Sequence, residues 1–379
     1  MAKIRIIHAI TDTNIGGAGV LLLSCLRYAD KEKFDISVVL PRGAALCERV
    51  RALGFRVFEI NGGADKSFDL SAIGEYRRIF RVEKPHIVHT HASFSARIAA
   101  RQCRVPRVFQ THHCAVTNGG LKSKFPFRGI LASLENRLTD RFVATADVAR
   151  KVLLDRGVKD EKITTIINGS EPLRFVSEAE KAAVRQQYGL SNDNFVVGIV
   201  ARLEDVKNHR CFLEGAAEAA RAHGEMRFLV VGSGSLENQL KSYAGELGIA
   251  DKVIFTGFAR DTAPLMSIMD VNVNTSDSET SNLALSEGFS IGVPAVVSDC
   301  DGNCAMIENG VSGLTFEKGN SESLATALET LFERRDLLVS MSAAAKKRYE
   351  QKFSAAVMTE RLEQLYLNEM KGAGQGERK

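Results

Sequence analysis

A series of short apolar runs, rich in β-branched residues, stops and then starts again along this chain. The first series is Ile4–Ala9, Ile36–Leu40, Arg56–Ile60, Ile87–Thr90, Arg107–Gln110, Phe142–Thr145 and Ile163–Ile166. Stretches of helical periodicity lie between them, such as Val20–Tyr28 and Leu70–Phe80. The second series is Phe195–Val200, Phe228–Val231, Val253–Phe255, Val271–Asn274, Pro294–Ser298 and Leu314–Phe316, again with helices between. Continuous apolar strands separated by helices imply parallel strands buried on both faces. The expected fold class is therefore α/β, with two Rossmann-like doubly wound domains. The 379 residues suit two cores better than one. The boundary is placed near Pro172, after the turn Asn168-Gly169, giving domains 1–172 and 173–354. The link is short and not rich in Gly or Ser, so the domains are expected to face each other across a cleft. A last helical stretch, Ala355–Met370, is free to pack on either domain, and 372–379 read as a disordered tail.

Several classes drop out. No window reaches the roughly 18–20 apolar residues of a membrane span. The opening MAKIRIIHAI runs straight into a strand and lacks a signal-peptide pattern. A cytoplasmic protein is expected. Seven scattered cysteines show no CxxC or zinc-ribbon spacing and read as free, mostly buried thiols. The net charge of +4 hides an asymmetry: residues 1–172 carry 28 Lys and Arg against 17 Asp and Glu, the remainder 22 against 29. A basic N-terminal half favours an anionic surface or substrate on that side.

Ligands of open parallel sheets bind beyond the carboxyl ends of the strands, so the loops after strands carry the functional information. After the first strand comes Thr11-Asp-Thr-Asn-Ile-Gly-Gly-Ala-Gly19. Gly16 and Gly17 would let backbone amides approach an anion at a helix start, or simply make a tight turn. Their spacing is not GxGxxG, and no Walker A motif is present. After Phe195–Val200, Arg202 and Lys207 could neutralise a diphosphate, Arg by a two-pronged contact and Lys as a compact charge. Val231-Gly-Ser-Gly-Ser235 reads as close backbone packing, with Gly232 lining a nucleotide pocket. Phe258 offers a base an apolar contact or is an ordinary core aromatic. The most specific loop is Ser276-Asp-Ser-Glu-Thr-Ser-Asn-Leu-Ala-Leu-Ser-Glu-Gly288. Thr280, Ser281 and Asn282 are capping types, so a helix is expected to start there and run through Leu283, its first amides suiting a phosphate. Glu279 lies before that helix and Glu287 about two turns in. Eight helical residues rise about 12 Å, beyond the roughly 5–9.5 Å of paired glycosidase carboxylates. The two glutamates therefore read as two ends of a grip on an extended ligand.

Arg202-Leu203 with Lys207-Asn208, Val231-Gly-x-Gly, Thr256-Gly-Phe258, and Glu279 and Glu287 followed by Gly292-x-Pro294 together resemble the pattern of glycosyltransferase family 4. The resemblance covers nearly the whole chain and is strongest over 196–313. It implies the two-domain GT-B fold, a retaining transfer from a nucleoside diphosphate sugar to a hydroxyl acceptor, and no metal or other cofactor. It implies that Arg202 and Lys207 bind the donor diphosphate, with backbone of Thr280, Ser281, Asn282 and Leu283 holding phosphate. Glu279 would contact the transferred sugar, Glu287 the ribose, and Gly16 and Gly17 would lie near the reacting centre. In Thr111-His-His113 the family spacing selects His113 for the donor sugar, with His112 its rival. The final helix would cross back to the N-terminal domain. Thr280 stands where many relatives have Gly, and Gly288 where Ala is common.

Asp299-Cys-Asp301 is a DxD, but it is discounted as a metal site because Arg, Lys and helix amides already supply positive charge. Arg97, Arg101, Arg104 and Arg107, with Leu121–Leu131, form a basic and apolar region that could rest on an anionic membrane and reach a lipid-linked or glycan acceptor. The expected setting is cell-surface polysaccharide or glycolipid synthesis, at the inner face of the cell membrane. No stacking module points to nucleic acid. A non-hydrolysing sugar-nucleotide epimerase shares the architecture but would turn over donor without acceptor. An inactive partner subunit should lose the charged donor residues, which are present here.

Overall fold

A computed structural model describes residues 3–113 and 127–376. The chain forms two compact units, Met1–Gly169 with Ala355–Lys379, and Ser170–Ser354. In the first unit the strands are β1 (Ile4–Ile10), β2 (Phe34–Pro41), β3 (Arg56–Ile60), β4 (Ile87–His91), β5 (Arg107–His112), β6 (Arg141–Ala144) and β7 (Ile163–Thr165). They form one parallel sheet in the order β3-β2-β1-β4-β5-β6-β7. The second unit has β8 (Phe195–Val200), β9 (Met226–Val231), β10 (Val253–Gly257), β11 (Val271–Asn274), β12 (Ala295–Ser298) and β13 (Gly313–Phe316). These are parallel in the order β10-β9-β8-β11-β12-β13. Each order reverses once, between β1 and β4 and between β8 and β11, which makes those two places the switch points where such sheets bind ligands.

The strands form because their side chains find cover on both faces. Ile7 and Ala9 of β1, Val88 of β4 and Val108 of β5 pack with Tyr76, Phe80 and Ala96 from the helices Leu70–Glu83 and Phe94–Gln102. Asp69 and Ser93 cap those helices with side-chain oxygens on Ser71 N and Ala96 N. The other face is covered by the helices Gly17–Tyr28 and Ala355–Gly376, which touch each other. Tyr366 of the C-terminal helix lies fully buried against the rings of Phe34, His89 and Phe109. That helix belongs to the first unit and runs on to Gly376, so residues 372–376, expected as part of a disordered tail, are helical. In the second unit, Phe212, Phe228, Leu324 and Leu328 centre one layer and Met266, Met269, Val196 and Leu229 the other.

The basic region of the first unit is not the free cationic face that the sequence suggests. Arg97 is 2 % exposed, ion-paired with Glu135 at 3.5 Å and bonded to Thr139 at 3.1 Å. Arg101 pairs with Asp140 at 2.7 Å, and Arg107 with Glu369 of the C-terminal helix at 3.3 Å. Three of the four arginines are thus neutralised within the fold, because each had a carboxylate on a neighbouring element. Of the stretch Leu121–Leu131, residues 121–126 lie outside the described residues, and a helix begins at Phe127. Among the described residues no helix is long and apolar enough to cross a membrane. Cys47, Cys211 and Cys300 are buried free thiols and Cys304 is exposed; Cys114 lies outside the described residues.

Candidate active site

The charged candidates gather on the second unit, at the β8–β11 switch point. The turn after β8 runs from Ala201 through a short 3-10 turn, Asp205–Lys207, to the helix His209–Ala222. The loop after β11 lies against it: Asp277 N donates to Val206 O at 3.0 Å and Thr275 Oγ1 to Lys207 O at 2.8 Å. This stapling sets Lys207 Nζ on Glu279 Oε1. Glu279 Oε1 also accepts from Ser276 Oγ at 2.9 Å and Asn274 Nδ2 at 3.4 Å. The pair is largely sheltered, with 18 % and 9 % of the side chains exposed, where a charge needs a partner. Arg202 is exposed, beside Glu204.

The helix expected near Thr280 occupies Leu283–Ser290, with Asn282 as its cap: Asn282 Oδ1 accepts from Leu285 N at 3.2 Å. The first amides of such a helix have no intrahelical acceptor and face outward. Thr280 is half-buried, and the Ser281 hydroxyl is buried with no hydrogen-bond partner. Glu287 is the fifth helical residue, one turn in rather than two, because the segment 279–282 is not helical. Burial raises its carboxyl to about 7, opposed by a hydrogen bond from Thr262. Glu279 and Glu287 have separate partners, Lys207, Ser276 and Asn274 for the first and Thr262 for the second.

The Gly-Ser-Gly loop serves packing. A Cβ at Gly232 would lie 2.0 Å from Ala201 O, and one at Gly234 2.3 Å from Leu203 O. The Gly232 amide is engaged by Gly257 O at 2.9 Å. Phe258 is 76 % exposed, which removes its reading as a core aromatic.

The remaining candidates stand on the first unit, at the β1–β4 switch point. Gly16 caps the helix Gly17–Tyr28 with extended backbone and no side-chain bond. A Cβ at Gly17 would meet nothing within 4 Å, and one at Gly16 only Asp12 Oδ2 at 3.8 Å. Neither glycine is demanded by packing; Gly19 is, with Leu46 Cδ1 at 2.9 Å from a Cβ. Beyond β5, His113 Nε2 meets His91 Nδ1 at 3.1 Å. Strand alternation puts Thr111 and His113 on one face and His112 on the other, and the Thr111 hydroxyl meets His89 Nε2 at 2.7 Å. The structure therefore brings His113, not His112, to the histidines of β4. Burial holds the His113 ring down to about 4, so it is neutral at neutral pH.

Among the described residues no group of three or more His, Cys, Asp or Glu is arranged to hold a metal. Asp299 of the DxD accepts from Lys318 N at 2.9 Å.

Two family profiles divide the chain between them: Glycosyltransferase Family 4 over residues 15–172, and Glycosyl transferases group 1 over 180–348. The chain belongs to glycosyltransferase family 4. It is 26 % identical over 383 residues, 97 % of each chain, to the Escherichia coli UDP-Gal:alpha-D-GlcNAc-diphosphoundecaprenol alpha-1,3-galactosyltransferase. It is 25 % identical to the Streptococcus pneumoniae alpha-monoglucosyldiacylglycerol synthase, over 80 % of this chain and 71 % of that one. Its fold is similar to that of Anabaena HepE in complex with UDP, with a TM-score of 0.82 at 19 % identity, covering 96 % of this chain and all of the other. It is also similar to a Rickettsia africae glycosyltransferase, with a TM-score of 0.84 at 18 % identity, covering 98 % and 100 %. The two parallel α/β sheets are those of GT-B glycosyltransferases.

In this glycosyltransferase two supports of the charged site escaped the sequence reading. Asn303 Nδ2 bonds Asn274 Oδ1 at 2.8 Å and Ser298 Oγ at 3.0 Å, and so braces the residue that bonds Glu279. Gly302 lies under the Glu279 backbone, where a Cβ would be 2.1 Å from Glu279 O. The signal for both was weak: an Asn and a Gly after a strand, with nothing to mark what they touch. His8, His89 and His91 were also missed, since a lone strand histidine reads as structural until the register is known.

Proposed function

We propose that this glycosyltransferase transfers a hexosyl residue, with retention, from a uridine diphosphate sugar to a hydroxyl of a lipid-linked acceptor. The observation that carries the reading is the sheltered Lys207–Glu279 pair beside the amide end of the helix Leu283–Ser290. A diphosphate fits there by replacing one bond with two. Lys207 exchanges a carboxylate for phosphate oxygens, with Arg202 and the helix amides adding charge. Glu279, released but still held by Ser276 and Asn274, then accepts hydroxyls of the transferred sugar. Glu287 accepts ribose hydroxyls, and Phe258 gives the base an apolar contact. His113 is assigned to the transferred sugar, and Gly16 and Gly17 to its phosphate side. Bond breaking to the leaving diphosphate is then favoured by fixed positive charge, with no metal required. The departing phosphate takes the acceptor proton on the same face, which accounts for retention without a protein nucleophile.

The uridine assignment is supported by the UDP complex of HepE and by the UDP-galactose donor in the name of the Escherichia coli relative. Lipid-borne acceptors are supported by the names of the Escherichia coli and Streptococcus pneumoniae relatives. Such an acceptor would bring the protein to the inner membrane face.

The deciding experiment incubates the protein with UDP-, GDP- and ADP-sugars, with and without lipid-linked acceptor, and follows nucleotide release and thermal shift. Acceptor-dependent release from a UDP-sugar, persisting in EDTA, is the expected result. Turnover of donor without acceptor would favour the epimerase reading. Unchanged donor binding in both Lys207→Ala and Glu279→Ala would remove the site from this loop.

A further inference from the structure

Three histidines of the first unit form an unbroken hydrogen-bonded row. Nδ1 of His8 lies 3.2 Å from Nε2 of His91, and Nδ1 of His91 lies 3.1 Å from Nε2 of His113. They come from three neighbouring elements, β1, β4 and the turn after β5. The register aligns Ile10 with His91 and His91 with Thr111, so the three imidazoles fall on one face near the switch point. His89 braces the row. Its ring stacks on those of His8 and His91 with centroids 5.0 Å from each. Its own nitrogens meet the Thr111 hydroxyl and the Tyr366 hydroxyl of the C-terminal helix.

Burial lowers His8 and His113 to about 4 and holds His91 well below the ordinary histidine value. Each ring therefore carries one proton at neutral pH, and each has one donor and one acceptor nitrogen. That has a consequence for the whole row. If His113 donates from Nε2, His91 accepts at Nδ1, must carry its own proton on Nε2, and donates to Nδ1 of His8. All three rings are then Nε2-protonated. If instead His8 donates from Nδ1, the direction reverses and all three are Nδ1-protonated. Any mixed state opposes two lone pairs or two N–H groups in a buried contact, which is strongly disfavoured.

The end of the row is Nδ1 of His113, which is buried with no hydrogen-bond partner among the described residues. His8, His91 and His113 also line a cavity of about 30 Å³, together with Thr111, Thr145 and Asn168. The rest of its wall is apolar, from Leu21, Leu22, Val143, Ile166, Met358 and Leu362.

We propose that His8 and His91 are positioning residues for His113: through the row they decide whether the buried His113 Nδ1 is a donor or an acceptor, and so how the ring meets the transferred sugar. The row acts as one two-position element, and its far end, His8, is read at His113 without touching the substrate. This rests on the assignment of His113 to the transferred sugar.

The test uses the full chain with ¹⁵N-labelled histidine and reads the tautomer of each ring from its two nitrogen shifts. In the unaltered protein His8, His91 and His113 should share one tautomer. A mixture among the three overturns the proposal with no variant needed. His8→Phe and His91→Phe should each leave His113 in mixed tautomers. His91→Gln, whose amide again offers one donor and one acceptor, should restore a single form at His113. A single unchanged His113 tautomer in a folded His91→Phe protein overturns the proposal. In kinetics, His8→Phe should lower kcat about tenfold through misdirected hydrogen bonding, with KM for the nucleotide sugar within about twofold. Mixed tautomers with unchanged kcat would instead sink the assignment of His113 to the sugar while leaving the row itself standing.

Discussion

The two switch points of this protein have the same topology and opposite electrostatics. Between β8 and β11 the fold gathers charge: Lys207 on Glu279, Arg202 on the same loop as Lys207, and the amide end of a helix. Between β1 and β4 it gathers four imidazoles that burial keeps uncharged. The difference follows from what each can do in a sheltered site. Fixed charge stabilises a leaving diphosphate, whereas neutral rings can only give direction to hydrogen bonds. Under the proposed function, one half would hold an anion and the other would orient a hydroxyl.

The largest test of that contrast is Lys207→Ala. It removes charge from the leaving group and leaves Glu279 sheltered and unpaired, so kcat should fall about 100- to 1000-fold. An equal loss in His113→Ala would erase the contrast, since loss of a neutral hydrogen bond should be the smaller effect. Steady-state kinetics with a UDP-sugar decides between them.

A second comparison sets two glycines against each other. Gly302→Ala drives a Cβ into the Glu279 carbonyl and should lower stability by about 1–3 kcal/mol, together with donor affinity. Gly17→Ala meets nothing within 4 Å and should raise stability by about 0.4–1 kcal/mol. Denaturant melts measure both. If Gly17→Ala loses activity while gaining stability, the open space above Gly17 belongs to a ligand.

The third concerns pH. Glu287 is raised to about 7 by burial, so the folded chain holds a proton that the unfolded chain has released. Its contribution to stability is present below the ordinary glutamate value near 4.5 and is lost as pH rises toward 7. Glu287→Gln should therefore melt higher than the unaltered protein at pH 8 and equally at pH 4.5. Nucleotide binding should run the other way, weakening about tenfold per unit as pH falls below 7, and Glu287→Gln should abolish that dependence. Calorimetric titration of UDP across pH 5.5–8 checks it.

The smallest expected effect is a flat line. His8 and His113 titrate near 4, so kcat at saturating donor should show no histidine inflection between pH 6 and 8. An inflection near 6.5 that vanishes in His113→Ala would mean that the row carries charge.

Most of the fold was legible because strands buried on both faces must be apolar along their whole length, and helices between them must be amphipathic. Asn282 was legible as a helix cap because capping is local chemistry. Lys207 and Glu279 were legible because each lies in a loop after a strand, where topology says ligands bind, and Glu287 because it lies in the helix that such a loop opens. The extra turn assigned before Glu287 was a boundary error: Asn282, the last of three capping residues, is the one used.

Read along the chain, then, the sequence yields two parallel α/β units, with the charged loops after strands on the second. Periodicity and capping act over a few residues and can be read from them. Tertiary structure alone decided three things. It neutralised Arg97, Arg101 and Arg107 against carboxylates on other elements. It braced Glu279 through Asn303 and Gly302. It aligned His8, His91 and His113 into a row. The residues of that row lie 83 and 22 positions apart in the chain. Only the register of a parallel sheet, which brings distant segments side by side at fixed alternation, makes them neighbours.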